Sequence, residues 1–133
     1  MIYGIGTDIC DIRRVQATLE RRGERFAQKV LGPQEMVVFQ ERSARTPARG
    51  VRYLATRFAA KEAFSKAMGT GIRFPVNWHN VWLENERSGR PVLRYSEALQ
   101  GLMQQRGVVR SHLSITDETG MASAFVILEG PAA

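Results

Sequence analysis

The stretch from Val51 to Met68 constrains this chain most, because it reads as one long helix, ended by Gly69-Thr70-Gly71. At about 100° per residue, Phe58, Lys61, Glu62, Ser65 and Lys66 fall within one arc, while Ala60, Ala63, Phe64 and Ala67 fall opposite. The small apolar side allows close approach of another element. That burial leaves the charged side, two ammonium groups around a carboxylate, at an edge suited to a cation and a polyphosphate. Glu62 and Lys66 are equally an i,i+4 acid-to-base pair, which supports an exposed helix by a few tenths of a kcal/mol and needs no function.

Around this helix, residues 1–9 read as a β-strand carrying Gly4 and Gly6, which permit close approach of another backbone or a ligand. Thr7 or Asp8 is the expected cap of a first helix with an apolar stripe of Ile12, Val15 and Leu19, interrupted at Gly23. Short helices are expected over 24–31 and 34–41, and the polar, basic run from Ser43 to Gly50 reads as a loop. Strands at 80–84 and 91–95, a helix at 97–106 and a hairpin of 112–116 with 121–128 complete the reading. The pattern implies one α+β domain over 1–133, with a mostly antiparallel sheet packed against the long helix.

A chain of 133 residues with one cysteine has no intramolecular disulfide framework, and Cys10 reads as a small buried apolar residue among isoleucines. No apolar run is long enough to span a bilayer, and Asp8 and Asp11 interrupt any signal-peptide core, so a cytoplasmic location and no membrane partner are expected. The net charge of +6 points to an anionic partner: nucleic acid, a phosphorylated small molecule or an acidic protein.

Asp8 and Glu62 are candidate magnesium ligands, since that hard cation is commonly held by one or two carboxylates with waters and substrate phosphates. A helix cap for Asp8 and a surface ion pair for Glu62 fit the spacing as well. Lys61 and Lys66 suit a pyrophosphate, and Arg57, one turn earlier, a further phosphate. His112 shares the polar face of its strand with Ser114 and Thr116, where it contacts a phosphate or pairs with a neighbouring strand.

Together, Gly4-Ile5-Gly6-Thr7-Asp8-Ile9, Arg57-Phe58-Ala59-Ala60-Lys61-Glu62-Ala63-Phe64-Ser65-Lys66 with Gly69-Thr70-Gly71-Ile72, and His112-Leu113-Ser114-Ile115-Thr116 resemble the bacterial holo-acyl-carrier-protein synthases. These are the short members of the 4′-phosphopantetheinyl transferase superfamily, and the match spans almost the whole chain. The resemblance implies that fold and the transfer of 4′-phosphopantetheine from coenzyme A to a serine of apo-acyl carrier protein. It places magnesium at Asp8 and Glu62. Asp8, Glu62 and Lys66 become the catalytic set, with Lys66 assisting serine deprotonation or stabilising the leaving phosphate. Arg57, Lys61, Ser65, Lys66, Gly69 and His112 become the coenzyme A contacts, with Arg57 and His112 near the nucleotide's 3′-phosphate.

It also implies a homotrimer with active sites between subunits, and docking of the acidic carrier protein on Arg14, Arg21 and Arg25. The basic run at 43–50, Trp78 and Trp82 belong to no motif of the family, and Asp11 stands where glutamate is frequent. A nucleic-acid-binding domain would interleave basic and aromatic residues on one surface, and that pattern is missing, so no nucleic-acid partner is expected. A bare docking module would account for the arginines but leave Asp8, Glu62 and the lysines without a purpose.

Overall fold

The computed structural model describes residues 1–132. Strand β1 (Ile2–Asp11) leads into helices α1 (Ile12–Arg22), α2 (Glu24–Val30), α3 (Pro33–Arg45) and α4 (Pro47–Met68). A hairpin of β2 (Val81–Asn85) and β3 (Pro91–Tyr95), helix α5 (Glu97–Gln105) and a second hairpin of β4 (Arg110–Glu118) and β5 (Met121–Glu129) follow. The antiparallel pairing expected from the sequence is present in two separate sheets, one ordered β1-β5-β4 and one formed by β2 and β3. Among the described residues no helix is long and apolar enough to cross a membrane.

Alternation along β5 turns Ala122, Ala124, Val126 and Leu128 inward, against the small-residue side of α4. Gly4 and Gly6 let β1 join that contact. A Cβ on Gly4 would lie 2.0 Å from the Ala67 carbonyl oxygen, and one on Gly6 would lie 1.9 Å from that of Ala63. Strand and helix backbones therefore touch where only glycine fits, opposite the alanines of α4. The other face of the three-stranded sheet is uncovered: Ile5, Ile9 and Phe125 are 58%, 66% and 40% exposed.

Two local expectations are corrected. Thr7 and Asp8 lie within β1, and the cap of α1 is Asp11, whose carboxylate accepts from Arg13 N–H at 2.9 Å. Strand pairing with β5 continues through Asp11, so the helix can begin only beyond it. The expected loop at 43–50 is helical on both sides of Thr46. The Thr46 hydroxyl accepts from Arg49 N–H at 3.2 Å, and Pro47 occupies the first helical position, where its missing N–H costs nothing. Thr-Pro here starts a helix, and the basic composition belongs to exposed helix ends. At the far end Gly69 closes α4 with φ +78°, as expected.

Candidate active site

The pairing of β1 with β5 and the packing of α4 on their inner face bring the N-terminal acid to the long helix. Asp8 Oδ1 lies 3.2 Å from Lys66 Nζ, which also donates to the Thr7 carbonyl at 2.9 Å. Glu62, one turn before Lys66, is half-buried in a cleft of about 330 Å³ lined also by Asp8, Arg14, Phe26 and Phe58. Burial pushes the Glu62 carboxyl above its usual range, the Asp8 carboxylate adds to the rise, and Lys66 opposes it. With Asp11 also lining it, the cleft sets three carboxylates against the Lys66 ammonium and the Arg14 guanidinium, an excess of hard oxygen donors. That donor chemistry fits magnesium, which needs no more than two protein carboxylates. Among the described residues no group of three or more His, Cys, Asp and Glu could hold a metal ion.

Lys61 does not share this cleft, contrary to the helical-wheel reading. Its side chain is 0% exposed and its Nζ donates to Glu35 Oε1 at 2.7 Å and to the carbonyls of Val30 and Trp78 at 2.6 Å each. An ammonium has three donors, and all are used within the protein. Burial lowers the Lys61 pKa, which the Glu35 carboxylate counters. The single-arc reading fails because α4 is enclosed on more than one side: the sheet packs on its alanines, and the end of α2, the start of α3 and the segment at Trp78 enclose Lys61. Glu35, absent from the sequence-based site, is 2% exposed and accepts from Gly32 N–H and Leu83 N–H as well. Its spacing from Gly32-Pro33, a helix-start pattern with a carboxylate in the first turn, was the only local signal.

Ser65 is also buried, and its hydroxyl donates to the Glu62 carbonyl at 2.7 Å, within its own helix. Gly69 serves as the helix cap. Trp78 acquires a place: Phe58 and Phe26, 6.2 Å apart, form the aromatic wall of the cleft, and the Trp78 ring stacks on Phe58 at 5.1 Å from behind that lining. Trp82 donates from its indole N–H to Glu84 at 2.9 Å. The Cys10 thiol is pushed up to about 11 by burial, with the Asp8 and Asp11 charges adding, so it is an inert core residue.

Arg57 lies elsewhere, in a cavity of about 650 Å³ that shares no lining residue with the Asp8–Glu62 cleft. Arg42, Arg45, Arg49 and Arg52 line it too, with Glu41 and Asp117. Three of these arginines belong to the run read as a loop or stand at its edge, and the abutting ends of α3 and α4 are what aim them into one cavity. His112, on the exposed face of β4, approaches Glu129 Oε2 at 2.6 Å, which holds the Glu129 carboxyl below its usual range. It lines neither cavity. Arg14 lines the acidic cleft, while Arg21 and Arg25 line an adjoining groove with Arg22, Lys29 and Phe26. Phe26 is the shared wall of groove and cleft.

The 4′-phosphopantetheinyl transferase superfamily profile matches residues 4–121. The chain is 58% identical over 129 residues to a holo-acyl-carrier-protein synthase of Methylibium petroleiphilum, covering 97% of each. Its fold superposes on that of the Neisseria meningitidis holo-acyl-carrier-protein synthase with TM-score 0.90 at 41% identity, covering 97% of this chain and 99% of that one. A Bacillus anthracis holo-acyl-carrier-protein synthase in complex with coenzyme A (3′,5′-ADP) superposes with TM-score 0.79 at 34% identity, covering 98% and 99%. Similarity of this extent, running through the Asp8 strand and the Glu62 helix alike, establishes that the chain belongs to the holo-acyl-carrier-protein synthases of the 4′-phosphopantetheinyl transferase superfamily.

Proposed function

We propose that this chain transfers 4′-phosphopantetheine from coenzyme A to a serine hydroxyl of apo-acyl carrier protein in the cleft between β1 and α4, breaking the pyrophosphate bond and releasing adenosine 3′,5′-bisphosphate and the serine's proton, with Asp8 and Glu62 as magnesium ligands. The observation that carries this reading is the convergence of Asp8, Glu62 and Lys66 from positions more than fifty residues apart. Bound magnesium would neutralise charge on the coenzyme A pyrophosphate. Lys66, tethered by Asp8 and the Thr7 carbonyl, is the catalytic cation on the leaving phosphate. Because no covalent intermediate with the protein is needed, catalysis rests on positioning and electrostatics. Lys61 is left out of the phosphate contacts, since its donors are spent on Glu35, Val30 and Trp78.

Arg14 at the rim of the cleft, with Arg21 and Arg25 in the adjoining groove, forms the docking surface for the acidic carrier protein. A homotrimer with shared sites belongs to the same proposal. Asp8 sits on edge strand β1, whereas Asp117, at the rim of the arginine cavity, sits on the opposite edge strand β4. A second copy packed on the exposed face around Ile5, Ile9 and Phe125 would add its arginine cavity to the first copy's cleft, with Arg57 and His112 toward the nucleotide phosphate. The free, buried Cys10 accords with a cytoplasmic setting.

The deciding experiment incubates the protein with apo-acyl carrier protein, coenzyme A and magnesium and weighs the carrier by intact mass spectrometry. A phosphopantetheine mass gain that chelation suppresses is expected. An unchanged mass with an authentic apo-carrier would overturn the proposal.

A further inference from the structure

Arg57 is a buried cation without a counter-ion. It is 8% exposed, makes no ion pair among the described residues, and the nearby Glu35 is committed to Lys61 and two backbone N–H groups. Its Nη1 donates to the Thr56 hydroxyl at 3.0 Å and its Nη2 reaches Asn85 Oδ1 at 3.5 Å, while Nε is buried with no partner. An orphaned buried donor on a charged group is costly, and the Arg57 side chain lines the arginine cavity, where an anion can meet its charge. The guanidinium lies against Tyr53, one helical turn earlier and 3% exposed, whose ring centroid is 4.0 Å from the guanidinium carbon. The Thr56 hydroxyl that accepts from Arg57 donates in turn to the Tyr53 carbonyl at 2.8 Å. Arg42 also stands over this ring, at 5.1 Å, so one aromatic face system bears two of the cavity's cations.

We propose that Tyr53 is a positioning residue that supports Arg57 through its ring, and that this support makes the enzyme select coenzyme A by its nucleotide 3′-phosphate. The inference rests on the proposed transfer reaction. A guanidinium held over an aromatic ring keeps donors free for an oxyanion, and the attraction of the ring quadrupole restrains it without consuming a donor. The contact depends on the ring and its electron density.

The test compares initial rates with coenzyme A and with 3′-dephospho-coenzyme A for wild type, Tyr53→Phe, Tyr53→Leu, and replacement of Tyr53 by pentafluorophenylalanine. The last keeps the ring's shape and reverses its quadrupole, so it answers the question even if Tyr53→Leu fails to fold. Expected are a wild-type KM for Tyr53→Phe and a KM for coenzyme A raised about tenfold by the other two replacements, with kcat little changed. The KM for 3′-dephospho-coenzyme A should stay constant throughout. Equal losses for both substrates, or unchanged preference with the fluorinated ring, would overturn the role of Tyr53. Calorimetry with adenosine 3′,5′-bisphosphate against adenosine 5′-monophosphate gives the same comparison without turnover. If wild type transfers nothing, the reaction is wrong, and the calorimetric difference still decides the role of Tyr53.

Discussion

Lys61 and Glu35 lie 2.7 Å apart with both side chains cut off from solvent, one position before the carboxylate that faces the cleft. The pair ties α4 to the start of α3, and its backbone contacts extend to Val30, Trp78 and Leu83. Removing one partner strands a charge, so Lys61→Ala and Glu35→Ala should each destabilise by about 3–5 kcal/mol in urea unfolding. The double variant, Lys61→Ala with Glu35→Ala, should cost less than the sum of the single changes. Lys66→Ala should cost only about 0–1 kcal/mol, because that pair is half exposed. Similar losses for Lys61→Ala and Lys66→Ala would contradict the buried-pair assignment.

If Glu62 holds magnesium as proposed, Glu62→Gln should lower turnover by roughly a hundredfold or more while leaving the far-UV circular dichroism unchanged, because the substitution removes a ligand oxygen charge and no core contact. The assay is carrier mass against time over a magnesium titration. Full activity would remove Glu62 from the metal site.

The same substitution has a signed effect on stability. The folded Glu62 carboxyl titrates above its ordinary 4.5, so the unfolded chain gives up this proton first and stability falls as pH rises from about that value through the folded one. At pH 7 the carboxylate is therefore a liability, from burial and from Asp8. Without magnesium, Glu62→Gln should melt at or above the wild-type Tm at pH 7, with the difference vanishing below the carboxylate range. Added magnesium should raise the wild-type Tm and leave the variant's unmoved. A thermal-shift series in which the variant melts lower at pH 7 would refute the electrostatic picture.

Gly6→Ala places a Cβ 1.9 Å from the Ala63 carbonyl oxygen and must push β1 off α4. A loss of about 3 kcal/mol or more is expected in denaturant midpoint, the upper range of overpacking costs. Gly101→Ala, on exposed α5 with nothing within 4 Å of the added carbon, should stabilise by about 0.5–1 kcal/mol. Indifference to Gly6→Ala would mean that strand and helix do not meet as described.

Arg21→Glu and Arg25→Glu, in the groove beside the cleft, should slow carrier association and flatten its salt dependence while leaving the KM for coenzyme A unchanged. Stopped-flow association at several ionic strengths measures this. Unaltered association in the double variant would place the carrier elsewhere.

The sequence by itself determined the elements and the ordered motifs. Periodicity located α4 and both hairpins, Gly4 and Gly6 allowed a close approach of backbone or ligand, and Asp8 with Glu62 and Lys66 marked a candidate site. These were legible because helix and strand periods and glycine placement are local properties, and the motif order runs along the chain. Which side of α4 each charge occupies was decided only by the tertiary structure. A helical wheel knows angles but not neighbours, and Lys61 turned inward because Glu35, from another helix, stands ready to neutralise it. The basic run at 43–50 misled for the same reason: composition cannot tell an exposed helix end from a loop, whereas Thr46 and Pro47 in place start α4. Only packing drew Arg42, Arg45 and Arg49 into a cavity around Arg57 and set Tyr53 beneath it, since charge and burial are settled between elements and not along them.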